Sequence, residues 1–328
     1  MPPEHEALVI LTRQQFPALA DVACEVEAIT KGGSDRHYYR LVWQGGAHPP
    51  MVLMVYTTAR RDNLKFVPAT YRLQAMGVNV PKIYAFDPDR LFVWLEDLGH
   101  VDLYSKAAEP WQIRAPLYQA ALREVSKIHA VRESDLTERD KAELEPPIDE
   151  ALYEWEQKYF LDHFVRGHLE RDFRSHEFGA AHEALKHLRQ RLTRLPRCLV
   201  HRDFQSQNIM LRDDGSTWFV DYQGLRLGKA EYDLASLLFD PYVKISDSER
   251  DDLLHYYAEH RGISLFELRE SFHLCAAQRL MQALGAYGNL SRNLGKPQFR
   301  QHIPAAVASL KTVCGSSDAL RDLLPLFR

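Results

Sequence analysis

"VHRDFQSQNIM" (residues 200–210), with the "LRDDGSTWFVDYQG" that follows it (211–224), decides how this chain folds and what it can do. Asp214-Gly215 is a strong signal for a two-residue hairpin, because that turn needs positive φ. A hairpin centred there sets Arg212 opposite Thr217 and Met210 opposite Phe219. Carried outward, it sets Asn208 opposite Asp221. Asp203 stands five residues before Asn208, in the loop leading to the same open end. One carboxylate and one amide oxygen, with room for phosphate oxygens and water, suit Mg²⁺. A separate aspartate can take a proton from a substrate hydroxyl. Phosphoryl transfer needs both services. Singly, Asp203 and Asn208 read as turn or cap residues; together, at these spacings, the three point to chemistry.

Upstream, the first hundred residues are rich in strand signals. "VEAIT" and "HYYRLVW" flank the glycine turn "KGGSD", and "MVLMVY" is a continuous apolar run. "RRDNLKFVPATYRLQAMG" reads as a helix, and "KIYAFD" with "LFVWLED" as a further hairpin. After Gly99 the pattern turns helical, as in "PLYQAALREVSKIHA", where Leu117, Ala121, Val125 and Ile128 share a face. The expectation is an α+β, bilobal chain. Residues 1–98 form a small antiparallel-sheet N-lobe, and residues 99–328 a larger, mainly helical C-lobe.

Composition narrows the function classes. With 328 residues and 45% hydrophobic content, the chain can bury a sizeable core. Its net charge of −4 gives no general attraction for nucleic acid or anionic lipid. The basic helix "HEALKHLRQRLTRL" carries a leucine stripe, so its arginines form the outer face of a packed helix; nucleic acid is not an expected partner. Four scattered cysteines make neither a disulfide frame nor a zinc site. No signal peptide or 18-residue apolar run is present, so a cytoplasmic protein without a membrane span is expected.

"HRDFQSQN" and "DYQG" resemble the HxDxxxxN and DFG-type signatures of the protein-kinase-like superfamily. That resemblance implies Asp203 as the catalytic base, Asn208 and Asp221 as holders of Mg²⁺, and His201 as a shaper of the loop. "EYDLASLL" is similar to the helix start whose aspartate, here Asp233, clamps the catalytic loop. Eleven residues separate Asp221 from Asp233 and no Ala-Pro-Glu follows, which leaves no room for a peptide-docking activation segment. Two departures are informative. The phosphate-binding lysine of the third strand is replaced by Met54, and its glutamate partner is absent from residues 62–76. Lys31 and Arg36 flank "GGSD" and are the cations best placed to face phosphates. Gly32, Gly33 and Ser34 offer backbone N–H groups there. "WLEDLG" would be the hinge, with adenine meeting backbone groups around Glu96 and Leu98; a strand end with a glycine stop fits the same residues.

Over nearly its full length the chain resembles the aminoglycoside phosphotransferase family. Within it, "YQG", "YDLASLLFDPYV" and "QRLMQALGAYGNL" are most similar to the amino-sugar branch, bacterial kinases of N-acetylmuramate and N-acetylglucosamine acting on the anomeric hydroxyl. This implies ATP and Mg²⁺ as cofactors and a sugar substrate; a monomer is the expectation. Gln205 and Gln223 suit sugar hydroxyls, and equally suit bracing the loop. A kinase of another small alcohol (an aminoglycoside, an amino alcohol or a nucleoside) and an inactive nucleotide-binding regulator are the competing readings.

Overall fold

The computed structural model describes residues 3–29, 36–46, 48–174 and 176–327. Strands β1 (Cys24–Ile29), β2 (His37–Trp43), β3 (Met51–Val55), β4 (Ile83–Asp87) and β5 (Phe92–Glu96) form one antiparallel sheet, in the order β1-β2-β3-β5-β4. β3 reads as an unbroken apolar run because both of its faces are covered. Met51 and Leu53 pack with Trp43 and Trp94 beneath α1 (Pro3–Gln15). Met54 packs with Phe66 and Leu73 of α2 (Phe66–Ala75). Helix α1 is absent from the sequence reading of this region. Its apolar residues Leu8, Val9 and Leu11 make too short a stripe to announce a helix, and they gain a partner only when the sheet lies beneath them. Thr12 then accepts a hydrogen bond from the Trp94 indole at 2.9 Å.

The rest is mainly helical: α3 (Trp111–His129), α4 (Glu138–Glu143), α5 (Glu150–Phe160) continued by a π turn at Leu161–Arg166, and α6 (Gly179–Arg194). After the site segment come α7 (Ala230–Leu238), α8 (Asp247–Arg261), α9 (Leu265–Arg292) and α10 (Ile303–Gly315). The leucine stripe of α6 is buried at Leu185, Leu188 and Leu192, while Arg189 and Arg191 pair outside with Glu154 and Glu270.

Four short strands carry the site: β6 (Cys198–Val200), β7 (Ile209–Leu211), β8 (Thr217–Phe219) and β9 (Arg226–Gly228). β6 pairs with β9, and β7 with β8. The β7–β8 register differs by one residue from the sequence expectation: Leu211 faces Thr217, Met210 faces Trp218 and Ile209 faces Phe219. The loop holds three residues, not two. Arg212 N–H donates to the Ser216 carbonyl at 3.0 Å, and Gly215 takes the left-handed conformation at φ 77. Asn208 therefore lies opposite Val220, whose N–H donates to its carbonyl at 3.0 Å. A one-residue slip turns a strand side chain to the other face. Asp221 leaves the strand conformation at φ 62, and its side chain still lines the same cleft as Asn208.

Candidate active site

The sheet and the β7–β8 hairpin face each other across a cleft of ≈ 1030 Å³. Ile29, Arg36, Tyr38, Arg40 and Val52 make its roof. The chain from Glu96 to Gly99 closes the back, and Asp203, Asn208, Met210 and Asp221 lie on the floor. Of the residues singled out in the sequence, Arg36, Glu96, Leu98, Asp203, Gln205, Asn208, Asp221 and Gln223 all line this one space. Lys31, Gly32, Gly33 and Ser34 lie outside the described residues.

The floor is built by hydrogen bonds that converge on a few buried acids. Asp233, fully buried near the start of α7, accepts the N–H groups of His201 at 2.7 Å and Arg202 at 2.8 Å. The His129 ring lies 3.1 Å from the same carboxylate and 2.8 Å from the Tyr257 hydroxyl. These bonds hold Arg202 at φ 77, a conformation that costs a non-glycine residue on the order of 1–3 kcal/mol. The loop is tied down again by Asp240, which accepts from the Ser206 N–H and hydroxyl.

Asp203, next along the loop, accepts from Arg202 Nη1 at 2.7 Å. Burial pushes its carboxyl upward, but Arg202 and then Arg279 outweigh that and hold it below the ordinary carboxylate value. It is an ionised acceptor at neutral pH. Asn208 donates through Nδ2 to the Asp203 carbonyl at 2.8 Å, which fixes the amide and leaves Oδ1 as its acceptor. Asp221 is more open, with 38% of its side chain exposed. Its Oδ1 accepts from Arg36 Nη2 at 2.7 Å and from Gln223 Nε2 at 3.0 Å. Among the described residues, no three His, Cys, Asp or Glu side chains gather at metal-binding distance. Two protein oxygens, completed by phosphate oxygens and water, are nevertheless a set that Mg²⁺ accepts.

The roof and the back of the cleft are made differently. Tyr38 and Arg40 alternate on one face of β2, as strand geometry requires, and Arg36, just before the strand, continues the alternation into the cleft. Arg40 is 6% exposed and grips the back segment, with Nε and Nη2 on the Asp97 carboxylate at 2.6 and 3.1 Å and Nη2 on the Gly99 carbonyl at 2.9 Å. Gly99, at φ 83, makes the turn that aims that carbonyl. The Glu96 side chain is held by Arg212 at 2.5 Å and by the Lys82 N–H at 3.2 Å, so it is tied to the β7–β8 hairpin and not left to a ligand. Leu98 N–H and C=O make no hydrogen bond among the described residues.

Residues 25–268 match the phosphotransferase enzyme family. The chain belongs to that family. Relatives of this phosphotransferase include the N-acetylmuramate/N-acetylglucosamine kinase of Pseudomonas aeruginosa, 27% identical over 306 residues that cover 91% of this chain and 86% of the relative. The kinase of the same name from Caulobacter vibrioides is 28% identical over 275 residues, covering 80% and 73%. The GDP complex of aminoglycoside 2'-phosphotransferase-IIIa shares the fold, with a TM-score of 0.65 at 13% identity and coverage of 95% of this chain and 99% of that one. Among the described residues, no helix is long and apolar enough to cross a membrane.

The sequence reading of this phosphotransferase missed Arg40, Arg212, His129 and Asp240. For Arg40 a signal was present, since the period of two in "RHYYR" sets it on the face of Arg36. The others gain their roles from partners at least 34 residues away in sequence, and no local pattern marks them.

Proposed function

We propose that the chain is an ATP- and Mg²⁺-dependent kinase of an amino sugar, acting on the anomeric hydroxyl of N-acetylmuramate or N-acetylglucosamine as a cytoplasmic monomer. The observation that carries the reading is the convergence of Asp203, Asn208 and Asp221 on one cleft, with an ionised Asp203 fixed by Arg202. The two relatives named as kinases of these sugars support the acceptor class.

In this reading residues 1–98 hold the nucleotide, and residues 99–328 carry the acceptor and the reacting groups. Adenine lies between Val52 and Ile29 above and Met210 and Val220 below, with its edge on the free backbone groups of Leu98 and the neighbouring Glu96. The phosphates reach the end of the cleft lined by Arg36. Asn208 Oδ1 and Asp221 Oδ2 hold the metal, which when bound neutralises charge building on the phosphates. Asp203 orients the sugar hydroxyl and accepts its proton. Gln205 meets neighbouring hydroxyls, and Gln223 offers Oε1 while its nitrogen stays on Asp221. Product would be an amino-sugar 1-phosphate.

A panel of sugars incubated with ATP tests this, read by ADP release and by phosphorus NMR of the product. Phosphate on ring carbon C1 supports the anomeric assignment, and phosphate on the C6 hydroxyl rejects it. Absence of acceptor-dependent ADP release across the panel rejects the sugar-kinase reading.

A further inference from the structure

The superfamily's third-strand lysine is missing, and the structure gives the reason. Val52 lines the cleft, and Met54, two residues on, projects from the same face of β3 but is wholly buried against Phe66 and Leu73. A lysine there would place an ammonium in an apolar contact, and α2 holds no glutamate to meet it. The strand site is occupied by packing.

One strand over, the same sheet face carries a cation. The β2–β3 register sets Tyr38 opposite Met54 and Arg40 opposite Val52, so Arg36 shares this face one step beyond Tyr38. Its side chain is 4% exposed, lines the cleft, and reaches across to Asp221 at 2.7 Å. Adjacent strands lie about 4.8 Å apart, a separation that arginine's longer reach spans. Gln223 holds the same Asp221 oxygen, so the guanidinium meets Asp221 on one oxygen only, and Oδ2 makes no hydrogen bond among the described residues.

Resting on the kinase reading above, we infer that Arg36 replaces the lysine as the phosphate-binding cation of this enzyme. The cation has moved from β3 to the start of β2, and it anchors to Asp221 where the lysine would have anchored to a helix glutamate. Sheet and catalytic hairpin are thereby joined directly through the residue pair nearest the phosphates. A forked guanidinium can keep one nitrogen on Asp221 while the others turn to phosphate oxygens.

Calorimetric titration of the full chain with adenosine, ADP and ATP, with and without Mg²⁺, tests the inference. In Arg36→Met, ATP and ADP affinity should fall at least tenfold while adenosine affinity stays within twofold of the parent. Arg36→Lys should restore part of the ATP affinity. Unchanged affinity for all three ligands in Arg36→Met would overturn the inference, since phosphates would then not meet Arg36. An equal loss for all three would overturn it too, because the role would be structural. A parent chain that binds neither ATP nor adenosine overturns the kinase reading itself, an outcome recognisable without any variant.

Discussion

The floor and the roof of the cleft handle charge in opposite ways. On the floor, buried acids sit in a dense set of internal bonds: Asp233 accepts two backbone N–H groups and meets His129, Asp240 accepts from Ser206, and Asp203 accepts from Arg202. On the roof, the β3 residue that lines the cleft is Val52, and Met54 beyond it is buried in the core. Helix α2 is tied to the floor without charge: Tyr222 stacks on Phe66 at 5.2 Å and its hydroxyl lies 2.9 Å from Thr70 Oγ1. Thr70 gives its single proton to the Phe66 carbonyl, so Tyr222 is the donor. The floor is shaped by bonds among its own groups, whereas the roof contributes packing and the arginines Arg36 and Arg40, which reach out to Asp221 and Asp97. The proposed reacting groups, Asp203, Asn208 and Asp221, therefore all belong to the C-terminal part of the chain, with the sheet lying across the cleft from them.

The sharpest way to break this contrast is at Asp203. Asp203→Asn should retain ATP affinity and lose about a thousandfold in turnover, within the range for a positioned proton acceptor. Steady-state kinetics beside a binding titration decide it, and near-normal turnover would end the assignment of chemistry to the floor.

Next in size is Asp233→Ala. It leaves the N–H groups of His201 and Arg202 without their acceptor in a buried place, at about 1–3 kcal/mol each. The expected loss of stability is roughly 3–5 kcal/mol in denaturant unfolding, together with loss of activity. A midpoint matching the parent would mean that the loop does not depend on its buried acid.

Lys229 is the floor's exception. Four residues before Asp233 and 1% exposed, its ammonium has no hydrogen-bond partner among the described residues. Burial pulls its pKa down to about 8. Charged in both states below that value, it costs the fold roughly 3 kcal/mol there. Between about 8 and the ordinary 10.5 the unfolded chain holds a proton that the folded chain has lost, so this penalty is relieved as pH rises. Lys229→Met should raise the melting temperature at pH 7 and shrink that gain by pH 10. A gain of equal size at both values would show that the amine is not the source.

The smallest effect tests the neutral tie. Tyr222→Phe keeps the ring stack and removes one hydrogen bond, for a loss of about 1 kcal/mol. The loss should be the same in low and high salt, because neither partner is charged. A loss that fades with added salt would point to an ion pair in its place.

Much of this was legible beforehand. The segment from His201 to Asp233 is contiguous; its spacing nominated Asp203, Asn208 and Asp221, the family resemblance of "EYDLASLL" added Asp233, and the fold gathers all four at or directly beneath the cleft floor. Met54 and the missing glutamate were visible too, and with them the question of a substitute cation. The β7–β8 register was not. Two- and three-residue turns containing Asp-Gly differ by little in local energy, and the choice here is made by the pairing of Ile209 with Phe219 in the buried core. Helix α1 was hidden because its apolar stripe acquires meaning only beneath the sheet.

What the sequence by itself determined is therefore the chemistry: residue types whose spacing along a short loop and hairpin is enforced by covalent geometry. What only the tertiary structure decided is the set of partners that are distant in the chain. Arg36 meets Asp221 across 185 residues, and Arg212 meets Glu96 across 116. Lys229 loses its water to burial in the folded chain. Such encounters depend on the collapse of the whole chain around its core, and no window of sequence encodes them, because the free energy that brings each pair together is spent elsewhere, in burying the apolar faces between them.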